Sequence, residues 1–179
     1  MLTKLEKAII FATNKHQGQK RKAKLIPYIV HPLEVMDILR KNGADEDTMI
    51  VGVLHDTVED TNTTSKEIES EFGKEISYLV EYESEHKGGP YRERKQEHMD
   101  RLKIAPKKAK MVNCADKLSN LTAILVDYEK KGDDLWKIFN GSKNDIVWYY
   151  GIAINALAEL EGMNMYEELK QKYLKLASL

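Results

Sequence analysis

The chain has 179 residues, of which 42% are hydrophobic and 32% charged, the profile of a soluble globular protein. That length suffices for one hydrophobic core, so we predict a single domain over residues 1–179. The formal net charge of -1 argues against a nucleic-acid-binding protein, which usually carries a basic field. The single cysteine, Cys114, excludes an internal disulfide framework, and no apolar run is long enough for a membrane span or a signal peptide. We therefore predict a cytoplasmic protein without a membrane partner.

Apolar residues recur at intervals of three and four along almost the whole chain, which predicts an all-α fold of about nine helices. The first helix is predicted over residues 3–16, and a basic loop follows over residues 17–28. Pro32 falls in the first turn of the next helix, after a segment, residues 28–30, that we expect to be extended. Asp45 is placed to cap a third helix that ends near His55 and Asp56.

The second half of the chain continues the helical pattern. Thr64 and Glu67 have the spacing of a capping box, and Pro106 and Gly132 bracket the longest apolar periodic segment, which we expect to be the central helix. Further helices are predicted over residues 64–72, 74–83, 92–104, 106–132, 145–161 and 165–176. The sequence predicts no strand, internal repeat or linker, so the expected architecture is one compact helical bundle.

Residues 54–61 read Leu-His-Asp-Thr-Val-Glu-Asp-Thr and bring one imidazole close to three carboxylates. Adjacent side chains on a helix point about 100° apart. His55 and Asp56 can therefore both reach one metal ion only at a helix end or within a bundle core. Imidazole and carboxylate together suit Mn, Fe, Co, Ni or Zn, so this segment predicts a metallohydrolase.

Two further residues are candidate ligands in a structured context. His31 directly precedes Pro32, and Asp116 lies within the apolar central helix, where a carboxylate is costly to bury unless it is paired or bound to a metal. Each has an alternative: His31 could cap its helix, and Asp116 could pair with Lys117. Glu59 and Asp60 could likewise be acids that open a helix. The remaining histidines are interpreted as surface or loop residues: His16, His86 and His98.

Several blocks of sequence occur in the order found in one known family. They are residues 16–22 (His-Gln-Gly-Gln-Lys-Arg-Lys), 27–32 (Pro-Tyr-Ile-Val-His-Pro), 54–61, 93–95 (Glu-Arg-Lys) and 115–121 (Ala-Asp-Lys-Leu-Ser-Asn-Leu). With these blocks the chain resembles the HD-domain phosphohydrolases. Within that superfamily it resembles the hydrolase domains of RelA/SpoT proteins and the small alarmone hydrolases of the Mesh1 type.

The resemblance implies a role for each matched residue. A divalent metal, by analogy Mn²⁺, would be bound by four residues: His31, His55, Asp56 and Asp116. Glu59 and Asp60 would be the catalytic pair that positions and deprotonates the attacking water. The nucleotide substrate would be bound by Arg21, Lys22, Asn120 and Tyr149. The implied reaction removes the 3′-pyrophosphate of ppGpp or pppGpp, which yields GDP or GTP and pyrophosphate.

Three positions depart from the family pattern around the phosphates. His86 replaces an acid, Tyr91 stands where a phosphate-binding lysine is often found, and Asp145 falls near an expected basic residue. Two other functions therefore stay open on the sequence alone. One is an HD phosphohydrolase for another nucleotide, such as an adenosine alarmone, NADPH or a nucleoside monophosphate. The other is a nucleotide-sensing module without catalysis, which the presence of all four ligands and both acids disfavours.

Overall fold

The structure, a computed structural model, describes residues 1–21, 25–85, 88–139 and 142–179. Within these residues the α-helices are α1 Lys4–Lys15, α2 Val30–Lys41, α3 Glu46–Leu54, α4 Thr57–Asp60, α5 Ser65–Phe72, α6 Lys74–Glu81, α7 Tyr91–Lys103, α8 Lys107–Lys131, α9 Lys143–Ala156 and α10 Asn164–Ala177. Two short 3₁₀ helices cover Gly132–Ile138 and Ala158–Leu160. The only strand-like feature in the described part of the chain is an isolated antiparallel bridge between Lys20 and Pro27.

The predicted all-α fold is confirmed. Nine of the helices in the described ranges have eight or more residues, and α4 is a single turn of four residues. None of the helices in those ranges is both long and apolar enough to cross a membrane.

Local capping explains where several helices begin and end. Thr3 caps α1 in a reciprocal capping box with Glu6, and the Asp45 carboxylate accepts a hydrogen bond from the backbone N–H of Thr48 at the start of α3. Thr64 accepts one from the N–H of Glu67, as its spacing predicts. Gly73 ends α5 with a φ of 95°, a conformation that favours glycine.

The long helix α8 is the centre of the bundle, as predicted. It packs against α2, α3 and α10, and its apolar side chains lie in the core with exposed fractions of 6% or less: Val112, Ala115, Leu118, Leu121 and Leu125. Cys114 is fully buried there, and burial raises the pKa of its thiol to about 12. Because this helix carries Asp116 through the core, its position determines where the candidate metal ligands can meet.

Helix α3 lies close to α2 because of a glycine. A Cβ placed on Gly52 would lie 2.5 Å from Cδ1 of Leu39, which belongs to α2. A larger residue would therefore require the buried side chain of Leu39, or the helix itself, to shift. Since α2 carries His31 and α3 leads into His55, this close approach brings the two histidines together.

Two expectations about local structure were wrong. Residues 28–30 are not extended: the backbone N–H groups of Val30 and His31 bond to the carbonyls of Pro27 and Tyr28, so α2 begins two residues before Pro32. Proline is compatible with this because the first turn of a helix leaves its N–H groups unpaired. The surface interpretation of His16 and His98 was also wrong, since each is only 3% exposed. His86 lies outside the described residues.

Candidate metal centre

Three separate parts of the chain supply the predicted ligands. His31 is in the first turn of α2, and Asp116 is in the middle of α8. His55 follows the last residue of α3, and Asp56 precedes the first residue of α4. The helix therefore breaks at the His-Asp doublet, and this break allows two adjacent side chains to face the same point.

The ligand atoms of His31, His55 and Asp116 all lie within 4.8 Å of one another. Nε2 of His31 is 3.0 Å from Oδ1 of Asp116, and Nε2 of His55 is 3.7 Å from the same oxygen. Asp56 joins the cluster, because its Oδ2 is 2.9 Å from Nε2 of His55 and 3.5 Å from Nε2 of His31. Two atoms that are each about 2.1 Å from one ion lie roughly 3.0 to 3.4 Å apart. The four contacts between imidazole and carboxylate atoms, 2.9 to 3.7 Å, lie close to that range, so these side chains are near enough to share a divalent cation.

The orientation of His55 also fits a metal ligand. Nδ1 of His55 lies 2.8 Å from the carbonyl oxygen of Gly52, which can only accept a hydrogen bond, so Nδ1 carries the proton. Nε2 is buried and has no hydrogen-bond partner among the described residues. Nε2 therefore faces two carboxylates, and in the neutral ring its lone pair is available to a metal ion.

The negative charge of Asp116 is stabilised by the groups around it. The Lys117 ammonium donates to Oδ2 of Asp116 at 2.6 Å, and Asn120 donates to Oδ1 at 2.6 Å. Burial alone would raise the pKa of Asp116, but Lys117 and the two histidines hold it well below its usual range. Burial alone would lower the pKa of His55, and Asp56 and Asp116 raise it well above its ordinary value. Asp116 therefore pairs with Lys117 and contacts the histidines at the same time.

The predicted catalytic acids lie one turn beyond the doublet. Glu59 and Asp60 end α4 and both face the same pocket as His55 and Asp56. Oε2 of Glu59 accepts a hydrogen bond of 3.2 Å from the backbone N–H of Glu85. Burial raises the pKa of Glu59 above its ordinary value despite that hydrogen bond. Glu59 is therefore a carboxylate prepared to accept a proton.

A pocket of about 490 Å³ opens over this cluster. Three of the predicted substrate residues lie in its wall: Arg21, Asn120 and Tyr149. Lys22, the fourth, lies outside the described residues. Nη2 of Arg21 donates to Oδ1 of Asn120 at 3.2 Å, so these two side chains lie in contact across the loop and α8.

Tyr91, one of the departures from the family pattern, lies close to a lysine. Tyr91 lines the pocket, and Lys95, one turn later on α7, lines it as well. The Lys95 ammonium lies 5.7 Å from the centre of the Tyr91 ring and 4.7 Å from that of Tyr149, and it pairs with the carboxylate of Glu85. Asp145 lies at the start of α9, where it accepts from Arg92 at 2.7 Å.

Several residues of the site were not identified from the sequence. Tyr28 donates to Asp56 at 2.6 Å, and Ser119 contacts His31 at 3.0 Å. Lys95 and Lys117 line the pocket. All four residues stand within blocks that carry the family resemblance, which is a signal, but the contact of Ser119 with His31 depends on the packing of α8 against α2.

Known proteins are similar to most of the chain. Residues 8–146 match the family model of the HD domain. The guanosine-3′,5′-bis(diphosphate) 3′-pyrophosphohydrolase MESH1 of Xenopus tropicalis is 39% identical over 163 residues, which cover 89% of this chain and 86% of that relative. The protein of the same name from Homo sapiens is 35% identical over 173 residues, with coverage of 95% and 92%.

A solved structure is similar over the same length. It is described as a metazoan ortholog of SpoT that hydrolyses ppGpp, and it matches with a TM-score of 0.83 over 100% of this chain and 98% of that chain. The sequence identity is 24%, so this similarity shows the fold.

Proposed function

The chain belongs to the HD-domain family, and on that premise we propose that it hydrolyses the 3′-pyrophosphate of ppGpp and pppGpp. The products are GDP or GTP and pyrophosphate. The family model and the MESH1 relatives support this proposal, since two of those relatives are similar along 86% and 92% of their own length. We further propose that residues 1–179 form one HD domain that acts in the cytoplasm, where a buried thiol such as that of Cys114 stays reduced.

We propose that His31, His55, Asp56 and Asp116 bind the divalent metal. The fit rests on the mutual spacing of His31, His55 and Asp116 and on the contacts of Asp56 with both histidines. It also rests on the buried Nε2 of His55, which has no hydrogen-bond partner among the described residues. Two imidazoles and two carboxylates suit Mn²⁺ as they suit Fe, Co, Ni and Zn, and we propose Mn²⁺ because the family resemblance implies it. When bound, such a metal supplies Lewis-acid chemistry to phosphoryl transfer.

The two acids of α4 handle the water in this proposal. The raised pKa of Glu59 makes its carboxylate a better proton acceptor than an exposed glutamate. Asp60 lies beside it and accepts a hydrogen bond of 3.4 Å from Gln19. Glu59 accepts a proton from the attacking water, and Asp60 holds that water in line with the bond between the 3′-phosphorus and the ribose 3′-oxygen. That bond breaks as the water oxygen joins the phosphorus, so pyrophosphate leaves and the 3′-oxygen takes up a proton from solvent to become the hydroxyl of GDP or GTP.

Arg21 and Asn120 position the nucleotide relative to the proposed metal ligands. Asn120 accepts from Arg21 and donates to Asp116, so a continuous chain of hydrogen bonds joins the base-binding residue to the metal centre. A guanidinium group stacks on a flat base better than an ammonium does. The guanidinium of Arg21 thus holds the base at a fixed distance from the reacting phosphate.

The phosphates of the nucleotide bind beside the two lysines that line the pocket, Lys95 and Lys117. The ammonium groups of Lys95 and Lys117 lie 4.7 and 5.5 Å from the centre of the Tyr149 ring, on the side walls of the same pocket. Burial opposes the charge on Lys117, but Asp116 keeps its pKa well above the ordinary value. Fixed positive charge near the developing negative charge lowers the barrier to hydrolysis.

The observation that carries the proposal is that one pocket is lined by both Arg21 and three of the proposed metal ligands, His55, Asp56 and Asp116. A nucleotide panel tests it. The protein with added Mn²⁺ is incubated with ppGpp, pppGpp, an adenosine alarmone, NADPH and nucleoside monophosphates, and pyrophosphate and phosphate are measured separately. We expect pyrophosphate from the two guanosine alarmones; turnover of another nucleotide with none from ppGpp would contradict the proposal.

The second candidate is an HD phosphohydrolase for a different nucleotide. Tyr91 favours it, since an aromatic ring, rather than a lysine, faces the pocket at that position. Lys95 and Lys117 compensate for that charge in our account, so Lys95→Met should weaken ppGpp turnover. If Lys95→Met left that turnover unchanged, Lys95 would not compensate for the missing lysine.

A further inference from the structure

Two polar contacts join α2 to α8 beside the candidate metal centre. In the first, Nε2 of His31 lies 3.0 Å from Oδ1 of Asp116. In the second, the hydroxyl of Ser119 donates to Oε2 of Glu34 at 2.9 Å. His31 and Glu34 are three residues apart on α2, and Asp116 and Ser119 are three apart on α8. Each helix therefore presents its two residues on one face.

A third hydrogen bond connects these two contacts. Nδ1 of His31 lies 3.0 Å from Oγ of Ser119. A serine hydroxyl can donate only one hydrogen bond, and here it donates to Glu34. Oγ of Ser119 can therefore only accept a hydrogen bond from His31. Nδ1 of His31 therefore carries a proton, and in the neutral ring Nε2 presents its lone pair toward Asp116.

The rings of the two histidines in the metal centre are thus oriented by different kinds of hydrogen-bond partner. His55 is oriented by the backbone carbonyl of Gly52. His31 is oriented by two side chains, of which Ser119 is 5% exposed and Glu34 is exposed at the surface. Neither Ser119 nor Glu34 lines the pocket, so neither is placed to touch the substrate.

We propose that Glu34 is a positioning residue for the metal centre and acts through Ser119. By accepting the hydrogen bond of the Ser119 hydroxyl, Glu34 fixes the tautomer and the ring direction of His31. This orientation raises the affinity of the protein for a divalent metal. Groups that orient a metal-bound imidazole in this way typically change metal affinity by about 10- to 100-fold. The inference rests on the proposed function, because it takes His31 as a ligand.

The test measures Mn²⁺ binding to the metal-free protein by electron paramagnetic resonance, without substrate. We expect Ser119→Ala to raise the dissociation constant by about 10- to 100-fold and Glu34→Ala to raise it in the lower part of that range. Glu34→Gln keeps an acceptor oxygen and should restore the affinity of the wild type. Thr122→Ala on α8 and Asp37→Ala on α2 are controls, since their side chains bond within their own helices.

The double variant Glu34→Ala, Ser119→Ala decides whether one residue acts through the other. We expect it to bind Mn²⁺ as weakly as Ser119→Ala alone, because contacts in one network are not additive. Additive losses, a Glu34→Gln variant no better than Glu34→Ala, or single variants that bind like the wild type would each overturn the inference. If Ser119→Ala does not fold, as its thermal unfolding would show, the surface variants of Glu34 still give the answer. A wild-type protein that binds no Mn²⁺ would instead remove the manganese site of the proposed function.

Discussion

The hydroxyl of Tyr28 donates a hydrogen bond of 2.6 Å to Oδ2 of Asp56. The Tyr28 ring lies between two imidazoles, with its centre 4.8 Å from that of His16 and 5.9 Å from that of His31. Ring packing therefore places the hydroxyl, and the hydroxyl holds the carboxylate beside His55. A residue of the loop before α2 thus sets the direction of a proposed metal ligand.

Tyr28→Phe removes that hydrogen bond and keeps the ring. We expect the Mn²⁺ concentration for half-maximal activity to rise by about 10- to 100-fold, because Asp56 loses the group that orients it. The maximal rate at saturating Mn²⁺ should fall much less. An unchanged Mn²⁺ requirement would show that Tyr28 does not act on the metal centre.

Glu59→Gln and Asp60→Asn test the roles given to the two acids. Each substitution keeps the shape of the side chain and removes a carboxylate, so turnover should fall by about 10²- to 10⁴-fold. Binding of Mn²⁺ and of ppGpp, measured by equilibrium titration, should persist. Survival of turnover in both variants would mean that other groups handle the water.

Asp116→Asn should abolish metal binding, as measured by the metal content of the purified protein. It should also lower the free energy of unfolding by about 3–5 kcal/mol, because the buried ammonium of Lys117 loses its partner. Asp100→Asn is the control, since Asp100 is an exposed carboxylate that pairs with Lys103. Normal metal content in Asp116→Asn would exclude Asp116 as a ligand.

Arg21→Lys tests the binding of the base. Lysine keeps the charge but loses the planar group and its bond to Asn120. We expect KM for ppGpp to rise roughly 10-fold with a smaller change in kcat, as for a contact worth about 1–2 kcal/mol. Equal losses in kcat and kcat/KM, with KM unchanged, would place Arg21 in the chemical step instead.

His98 should make the stability of the protein depend on pH. Burial, with the charge of Lys117, lowers the pKa of His98 to about 4, whereas in the unfolded chain it is about 6.5. Between these values the unfolded state binds more protons, so the free energy of unfolding falls as the pH falls from about 6.5 toward 4. The slope attributable to this residue is about 1.4 kcal/mol per pH unit.

His98→Gln isolates this contribution. Its amide can still donate to the carbonyl of Tyr82, which Nε2 of His98 contacts at 2.7 Å. Urea unfolding of both proteins at pH 7, 6 and 5 gives the two slopes. We expect the variant to lose stability less steeply on acidification; parallel slopes would show that His98 does not titrate as described.

The sequence predicts features that depend on local chemistry. The caps at Asp45 and Thr64, the long helix that Gly132 ends and the helix break at the His-Asp doublet all follow from residue types at fixed spacings. The family resemblance adds the expectation that His31 and Asp116 meet, which neither spacing nor periodicity supplies.

Features that depend on packing between distant segments were not predicted. His98 is buried because α7 packs against residues 82–85, and the imidazole of His98 contacts the carbonyl oxygen of Tyr82. His16 is buried because its ring packs on Tyr28, from a different segment. The contacts of Ser119 with Glu34 and His31 span 85 and 88 residues of sequence, so no local pattern reveals them.

The most direct test of the account is pyrophosphate release from ppGpp by protein stripped of metal, measured before and after Mn²⁺ is added back. We predict no release from the stripped protein, and stoichiometric GDP and pyrophosphate once Mn²⁺ is restored. The Asp116→Asn variant should stay inactive under both conditions. Release that is equal with and without metal, or no release from ppGpp after Mn²⁺ is restored, would contradict the account.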